Sequence, residues 1–250
     1  MQGYEASTYG DGFAAVYDSW YPHDDAVDQA VLTIAELAQH GAVLELGCGT
    51  GRLLLPLAAQ GLQTYGIDAS KPMLDRLRQK PAAENVTTWC ADMAEFELST
   101  APRFALVFCA FNTFFNLPSA AQQRSCLACV ANHLGPGGHL VLECFVPGDS
   151  PSQRVDQIEL RELVADRVIL RVSRQDPAQQ TVSGQHIEFT NDGVRLHPWH
   201  LRYASVAEID DLAGAAGFTL VQRWSSWDKA PFTADSTAHV SVYHAASGNG

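Results

Sequence analysis

Two carboxylates and three glycines in the first third of the chain have the types and spacing of a ligand site. Residues 42–52 read Ala-Val-Leu-Glu-Leu-Gly-Cys-Gly-Thr-Gly-Arg, and Gln63-Thr-Tyr-Gly-Ile-Asp follows. Val43, Leu44 and Leu46 have the length and composition of a buried parallel strand, and Leu53 to Ala59 has helical character. Gly47, Gly49 and Gly51 turn the chain between them. Glycine there leaves the backbone bare to a ligand, because no Cβ blocks the approach. The helix N-terminus behind adds unpaired N–H groups. This is the layout of a nucleotide-type site.

Spacing narrows the ligand. A dinucleotide fingerprint is G-x-G-x-x-G, but Arg52 stands where its third glycine would lie, and no Lys follows Gly51 to make a phosphate loop. Glu45 precedes the glycines by two residues; it would repel a pyrophosphate and attract a cation. Asp68 lies about twenty residues past the glycines, where a carboxylate ending the second strand accepts ribose hydroxyls. A glycine turn and a ribose acid without a phosphate cradle describe a cationic adenosine ligand. S-adenosylmethionine, with S-adenosylhomocysteine as its product, fits.

Five ordered segments then resemble class I S-adenosylmethionine-dependent methyltransferases. Glu45-Leu-Gly-Cys-Gly-Thr-Gly51 is similar to their first motif and Gly66-Ile-Asp-Ala-Ser-Lys-Pro-Met73 to the second. Cys90-Ala-Asp-Met93 resembles the acidic segment that reads adenine, Phe104–Phe111 the fourth strand, and Leu134–Leu142 the turn and fifth strand. The likeness is dense over residues 9–146 and looser beyond. It implies an α/β, Rossmann-like fold: a mostly parallel seven-stranded sheet with an antiparallel insertion over the active site. Asn112-Thr-Phe-Phe115, Tyr17-Asp18 and Ala207-Glu-Ile209 add a shorter resemblance to small-molecule and peptide amine methyltransferases, of the sugar N,N-dimethyltransferase and cypemycin N-terminal methyltransferase type.

The elements that must position these residues follow from periodicity. Ala26 to Gln39 has helical spacing; strands are predicted near 43–47, 63–68, 86–91, 104–110 and 139–145, with helices near 52–60, 70–80 and 119–134. That alternation means a parallel sheet covered on both faces. After Pro147-Gly-Asp-Ser-Pro151 the pattern becomes period two, predicting three or four antiparallel strands, then a helix over Val206 to Ala216 and a closing pair near 218–225 and 238–244. The chain reads as one methyltransferase domain, 1–250, with an aromatic and helical lid at 1–40 and a strand insertion at 155–204 as a substrate roof. The roof's strands are too short and too polar on one face to form a core alone.

Composition excludes other classes. A chain of 250 residues suits one well-buried α/β domain. No apolar run reaches the roughly twenty residues of a membrane span, and Met1-Gln-Gly-Tyr-Glu lacks a secretory leader's pattern. Six cysteines, mostly in apolar contexts, read as reduced thiols in a cytoplasmic protein; Cys126-x-x-Cys129 has no partner pair at metal spacing, and no metal is expected. A net charge of −12 with few, scattered basic residues argues against nucleic acid, as does Ala110-Phe-Asn-Thr-Phe-Phe115 in place of the Asn/Asp-Pro-Pro-aromatic tetrad of amino-methylating DNA enzymes. The expected partners are a small-molecule or short-peptide substrate and, at most, a second copy in a homodimer.

The candidate residues carry distinct roles. Gly47, Cys48 and Gly49 offer backbone to the methionine portion, Glu45 partners its ammonium, and Asp68 with Ala69 holds the ribose. The resemblance places Asp92 and Met93 at the adenine, with Met73 flanking the ring, and adds Tyr17 and Ala110 to the cofactor set. Tyr17, Trp20 and Tyr21 are expected to form an aromatic lid over sulfonium or substrate; the alternative for them is core packing. His197 and Trp199 share one strand face and His200 and Arg202 the other. Together with Asn112 and Phe115 they are candidates to meet substrate, against the alternative of a solvated edge. Glu143, at the carboxyl end of the fifth strand, points toward the cleft.

Methyl transfer from a sulfonium is an in-line displacement in which alignment supplies most of the catalysis, on the order of 7–11 kcal/mol. An amine needs no strong base, whereas a hydroxyl does. The expected activity is therefore transfer to nitrogen of a small molecule or short peptide. The alternatives are an O-methyltransferase using His200 or Tyr21 as base, with Glu143 a further acid–base candidate, and a nucleotide-fold binding protein without chemistry. A nicotinamide oxidoreductase is disfavoured by Arg52.

Overall fold

The computed structural model describes residues 1–148 and 153–245. Two short helices, α1 (Thr8–Phe13) and α2 (Tyr17–Trp20), precede α3 (Asp25–Ala38). Strand and helix then alternate as β1 (Val43–Leu46), α4 (Leu54–Ala59), β2 (Thr64–Asp68), α5 (Lys71–Arg78), β3 (Val86–Cys90), β4 (Phe104–Cys109), α6 (Ala120–His133) and β5 (Leu134–Phe145). Four strands of ten residues follow, β6 (Val155–Val164), β7 (Arg167–Asp176), β8 (Thr181–Thr190) and β9 (Gly193–Arg202). The chain closes with α7 (Val206–Ala215), β10 (Phe218–Trp224) and β11 (Ala238–Ala245). Side-chain caps start the longer helices: Asp24, Ser70, Ser119 and Ser205 each accept a backbone N–H from the following turn.

The main sheet runs β10-β11-β5-β4-β1-β2-β3, and β11 alone is antiparallel to its neighbours. Because β1 and β4 lie at its centre, buried on both faces, their residues are apolar throughout except Glu45. One core layer packs α6 and α7 on the sheet and the other packs α3 and α4 on the opposite face. The second sheet, β6-β7-β8-β9, is a wholly antiparallel meander.

Three expectations are corrected. Strand β5 begins at Leu134 rather than near 139: Leu134 pairs with Phe104, and the next registered pair is Leu106 with His139. Gly135-Pro-Gly-Gly138 thus forms an irregularity within the strand instead of preceding it. The insertion has four strands, within the three or four expected, but β6, β7 and β8 are longer than the apolar alternation suggested, because mostly polar residues beyond it continue the ladder. The expected lid at 1–40 divides. Residues of α1 and α2 pack against β9 and α5, whereas α3 buries Val27, Ala30, Val31, Ile34 and Ala38 in the core, as its apolar stripe requires. Among the described residues no helix is long and apolar enough to cross a membrane.

On β11, His239 is fully buried, with Nδ1 2.8 Å from Ser241 Oγ and Nε2 without a partner. Burial, reinforced by the Arg223 charge, lowers its pKa from 6.5 to about 4. His186 on β8 is lowered to about 4 as well, by burial and then by Arg161 and Arg171. Below pH 6.5 the unfolded chain binds protons that the native state refuses, so stability falls with pH through this window. Each histidine should cost about 2 kcal/mol between pH 6.5 and 5. Urea unfolding across that range should show the loss, and His239→Gln should flatten the dependence by about half.

Candidate active site

The carboxyl ends of β1, β2 and β4 open into a cleft enclosing about 950 Å³ of empty space, part of it continuous with solvent. Gly47, Gly49, Asp68, Ala69, Met73, Asp92 and Met93 line it. Clefts at the carboxyl edge of an open parallel sheet are where such folds bind ligands. Gly47 and Gly49 both have positive φ, 70° and 54°. A Cβ on Gly47 would collide with Thr113, whereas one on Gly49 would meet no atom within 4 Å and stand in the cleft.

Asp68 fixes this loop. Its carboxylate accepts the Gly49 N–H and the Ser70 N–H, each at 2.8 Å. Burial raises its pKa against the pull of those two bonds. Asp92 accepts the Ala94 N–H at 2.8 Å and bridges to Glu95, so it caps a turn while lining the cleft.

Glu45 is buried beneath the glycine loop, and its Oε2 has no hydrogen-bond partner. Burial raises its pKa well above the usual carboxylate range, although the Arg52 charge opposes the shift. Arg52 lies flat over the Phe111 ring, 3.7 Å from its centroid. A buried carboxylate oxygen without a partner is costly and fits a cationic ligand group beside the loop.

The amino-terminal segment closes the cleft with Tyr4, Glu5, Tyr9, Gly10 and Tyr17. Ser70 Oγ donates to Asp11 at 2.7 Å, and Asp18 accepts both Thr50 Oγ1 at 2.5 Å and Lys80 Nζ at 2.9 Å. Gly10 lets α1 approach α5, since a Cβ would strike Ser70. Burial raises the phenols of Tyr4 and Tyr17 to about 12 and also raises that of Tyr9 well above its usual value. The cleft's far wall is Thr113, Asn116, Leu117, Pro118 and Gln122.

Several expected site residues lie elsewhere, packed into the fold. Trp20, His197 and Trp199 form a packed layer between α1–α2 and the second sheet: His197 Nδ1 is 2.6 Å from Gly12 O, and the Trp20 and His197 rings are 5.0 Å apart. They hold the lid rather than line the cleft. His200 pairs with Ser183 Oγ at 2.7 Å and meets the Tyr4 ring edge-on, one side chain removed from the cleft. Arg202 bonds Gln123, Gln180 and Glu208, tying the sheet's base to α6 and α7. Phe115 is fully buried, edge-on to Phe145.

Ala110 and Cys48 are likewise core residues, the latter's thiol raised well above its usual pKa by burial. Tyr21 lies against Tyr17 with the rings tilted at 45°, centroids 5.0 Å apart. Glu143 Oε2 accepts the Phe111 N–H at 2.6 Å, and Asn112 Oδ1 accepts the Phe145 N–H at 2.5 Å. These bonds brace Phe111 and Asn112 in left-handed conformation, φ 53° and 65°. Glu143 and Asn112 thus shape the turn after β4.

Tyr4, Glu5, Tyr9, Gly10, Thr113 and Gln122 line the cleft without a sequence motif that marks any of them singly as a site residue. The aromatic density was the available signal. Folding of residues 1–21 back over the loop was not visible locally.

The parallel sheet, the clamped glycine loop and a cleft lined by Glu5, Asp68 and Asp92 but by no Lys or Arg among the described residues define a class I S-adenosylmethionine-dependent methyltransferase. Residues 43–138 match the family model described as "Methyltransferase domain". The cypemycin N-terminal methyltransferase of Streptomyces sp is 30% identical over 197 residues, covering 78% of this chain and 79% of that protein. The CcbJ methyltransferase of Streptomyces caelestis superposes with a TM-score of 0.90 at 39% identity, over 97% of this chain and 100% of that one. The amino pentose methyltransferase CalS10 of Micromonospora echinaspora shares the fold at TM-score 0.68 and 23% identity, over 92% and 96% of the two chains. The chain belongs to this methyltransferase family, and its cofactor is S-adenosylmethionine.

Asp68→Ala removes both clamp bonds and the ribose acceptor expected from its position. Charge-assisted bonds are worth roughly 1.5–3 kcal/mol each. Calorimetry should show S-adenosylhomocysteine affinity falling at least tenfold, with the melting temperature lowered as well. Unchanged affinity in the folded variant would remove Asp68 from the cofactor site.

Proposed function

We propose that this methyltransferase acts on the amine of a small molecule or short peptide. One observation carries the reading: the cleft presents three tyrosines and three carboxylates, and no histidine, among its described lining residues. Phenols whose pKa burial has raised stay protonated at neutral pH and make poor bases. A hydroxyl acceptor would find no general base poised near neutrality. An amine brings its own lone pair, and Glu5, exposed at the mouth, attracts its cationic form. The names of relatives agree: one methylates a peptide N-terminus, and another, from Streptomyces venezuelae, is an amino-sugar N,N-dimethyltransferase, 29% identical over 136 residues.

In this reading Asp68 and Ala69 hold the ribose, Asp92 and Met93 the adenine with Met73 beside it, and Gly47 and Gly49 the methionine backbone. Glu45 Oε2 receives the ammonium. When bound, S-adenosylmethionine supplies a methyl on a positively charged sulfur, activated for in-line displacement by the amine. Tyr4, Tyr9 and Tyr17 exclude water and turn their ring faces toward the developing cation. The amino-terminal lid and the β6–β9 sheet behind it set the acceptor's position, and that alignment contributes most of the rate.

Mass spectrometry of reactions with dipeptides and amino sugars, each beside its hydroxyl counterpart, tests this. Methyl groups should appear on the amines, with kcat/KM rising through the acceptor amine's own pKa. Tyr17→Phe keeps the ring and should stay within about threefold of wild type, whereas Tyr17→Ala should lose roughly tenfold. Methylation confined to hydroxyls, or loss of activity in Tyr17→Phe, would overturn the amine reading.

A further inference from the structure

One short turn places a buried acceptor atom at the cleft. After β4 the chain makes a single 3₁₀ turn, Thr113–Asn116, which touches both β5 of the main sheet and β9 of the second sheet. In such a turn side chains three positions apart eclipse one another. Phe114 and Phe115 are fully buried, while Thr113 and Asn116 both line the cleft. Thr113 shows which way that side of the turn faces: a Cβ on Gly47 would stand 2.3 Å from its methyl carbon. Asn116 thus shares the face that abuts the glycine turn. Its Oδ1 is buried without a hydrogen-bond partner among the described residues. An amide oxygen only accepts, so it is satisfied when a ligand brings an N–H or O–H, and leaving it unmatched is costly.

We propose that Asn116 Oδ1 receives an N–H of the acceptor amine and so orients its lone pair toward the transferring methyl, an inference that rests on the amine reading above. In that reading the cofactor's own donors are matched elsewhere: Glu45 takes the ammonium, Asp68 the ribose hydroxyls and Asp92 the adenine amine. Tyr4 Oη is the other buried polar atom of the cleft lining without a partner among the described residues, but a phenol also donates and can turn to any lone pair. The amide suits an amine because it is neutral. A carboxylate in its place would favour the ammonium and hold back the lone pair, whereas Asn116 accepts an N–H without binding its proton. The amine loses its extra proton to water before attack. Its lone pair then forms the N–C bond as the C–S pair stays on sulfur, and the methylated ammonium releases a proton to water. One N–H must be present at each turnover. Primary and secondary amines supply it and a tertiary amine does not, so methylation should stop at the tertiary amine.

Calorimetry with two ligands of the cofactor site tests this without an acceptor. They are S-adenosylhomocysteine and sinefungin, in which a carbon bearing an amine replaces the methylated sulfur. Asn116→Leu is close in size and removes the accepting oxygen. Sinefungin affinity should fall at least tenfold, as expected for a lost hydrogen bond to a charged group, with S-adenosylhomocysteine affinity within about twofold of wild type. Equal loss of both ligands would place Asn116 at the cofactor and overturn the proposal, as would no loss of either. If that variant fails to fold, Asn116→Asp is measured instead and should tighten sinefungin at least threefold relative to S-adenosylhomocysteine; an unchanged ratio overturns the proposal. With excess S-adenosylmethionine, mass spectrometry of the dipeptide and amino-sugar reactions should end at the tertiary amine, and a quaternary product also overturns it. Methylation confined to hydroxyls would sink the amine reading itself and is read from wild type alone, whereas the sinefungin ratio is read without any acceptor.

Discussion

The Asp68 carboxylate is the constraint on which the site depends. By accepting the Gly49 and Ser70 N–H groups it joins the turn after β1 to the turn after β2. Those two turns leave adjacent parallel strands, so one side chain sets the width of the cleft between them. The Gly49 bond also holds the glycine turn at the cleft's edge. Ser70, held in this way, is also where the lid attaches, through Asp11. The second tie, from Asp18 to Thr50 and Lys80, reaches the same glycine loop. Cofactor loop and lid are therefore one mechanical unit, and the lid's position follows from the loop's.

A parallel set of contacts holds the turn after β4. Phe111 and Asn112 occupy a backbone region that side chains disfavour. The compensating hydrogen bonds tie the turn to β5, Glu143 accepting the Phe111 N–H and Asn112 accepting the Phe145 N–H, and Arg52 covers the Phe111 ring from the glycine-loop side. Glu45 sits within this group with one oxygen unmatched. The strain and the unpaired carboxylate both lie at the carboxyl edge of the central strands, where a catalytic geometry has most use for them. Away from it, the core is ordinary apolar packing.

The β6–β9 sheet reaches the site indirectly. Its inner face touches the lid through His197, Trp199 and His186, and its base is anchored to α6 and α7 by Arg202. It thereby holds the lid in place over the cleft.

Local sequence determined the half of the cleft proposed to hold the cofactor. Gly47, Gly49, Asp68, Asp92 and the apolar β1 and β4 are adjacent or regularly spaced, and a strand–turn–helix unit places its turn by short-range sterics and period alone. The parallel sheet followed from the same alternation, but its strand order, with β1 and β4 central, did not. What only the tertiary structure decided is which aromatic and polar residues reach the cleft. Tyr4 and Tyr9 line it while Trp20, Trp199 and His197 pack behind them, although all five look alike in a one-dimensional reading. The choice rests on how residues 1–21 fold onto β9 and α5. That packing is set by contacts such as Gly12 O to His197, 185 positions apart, which no local pattern encodes.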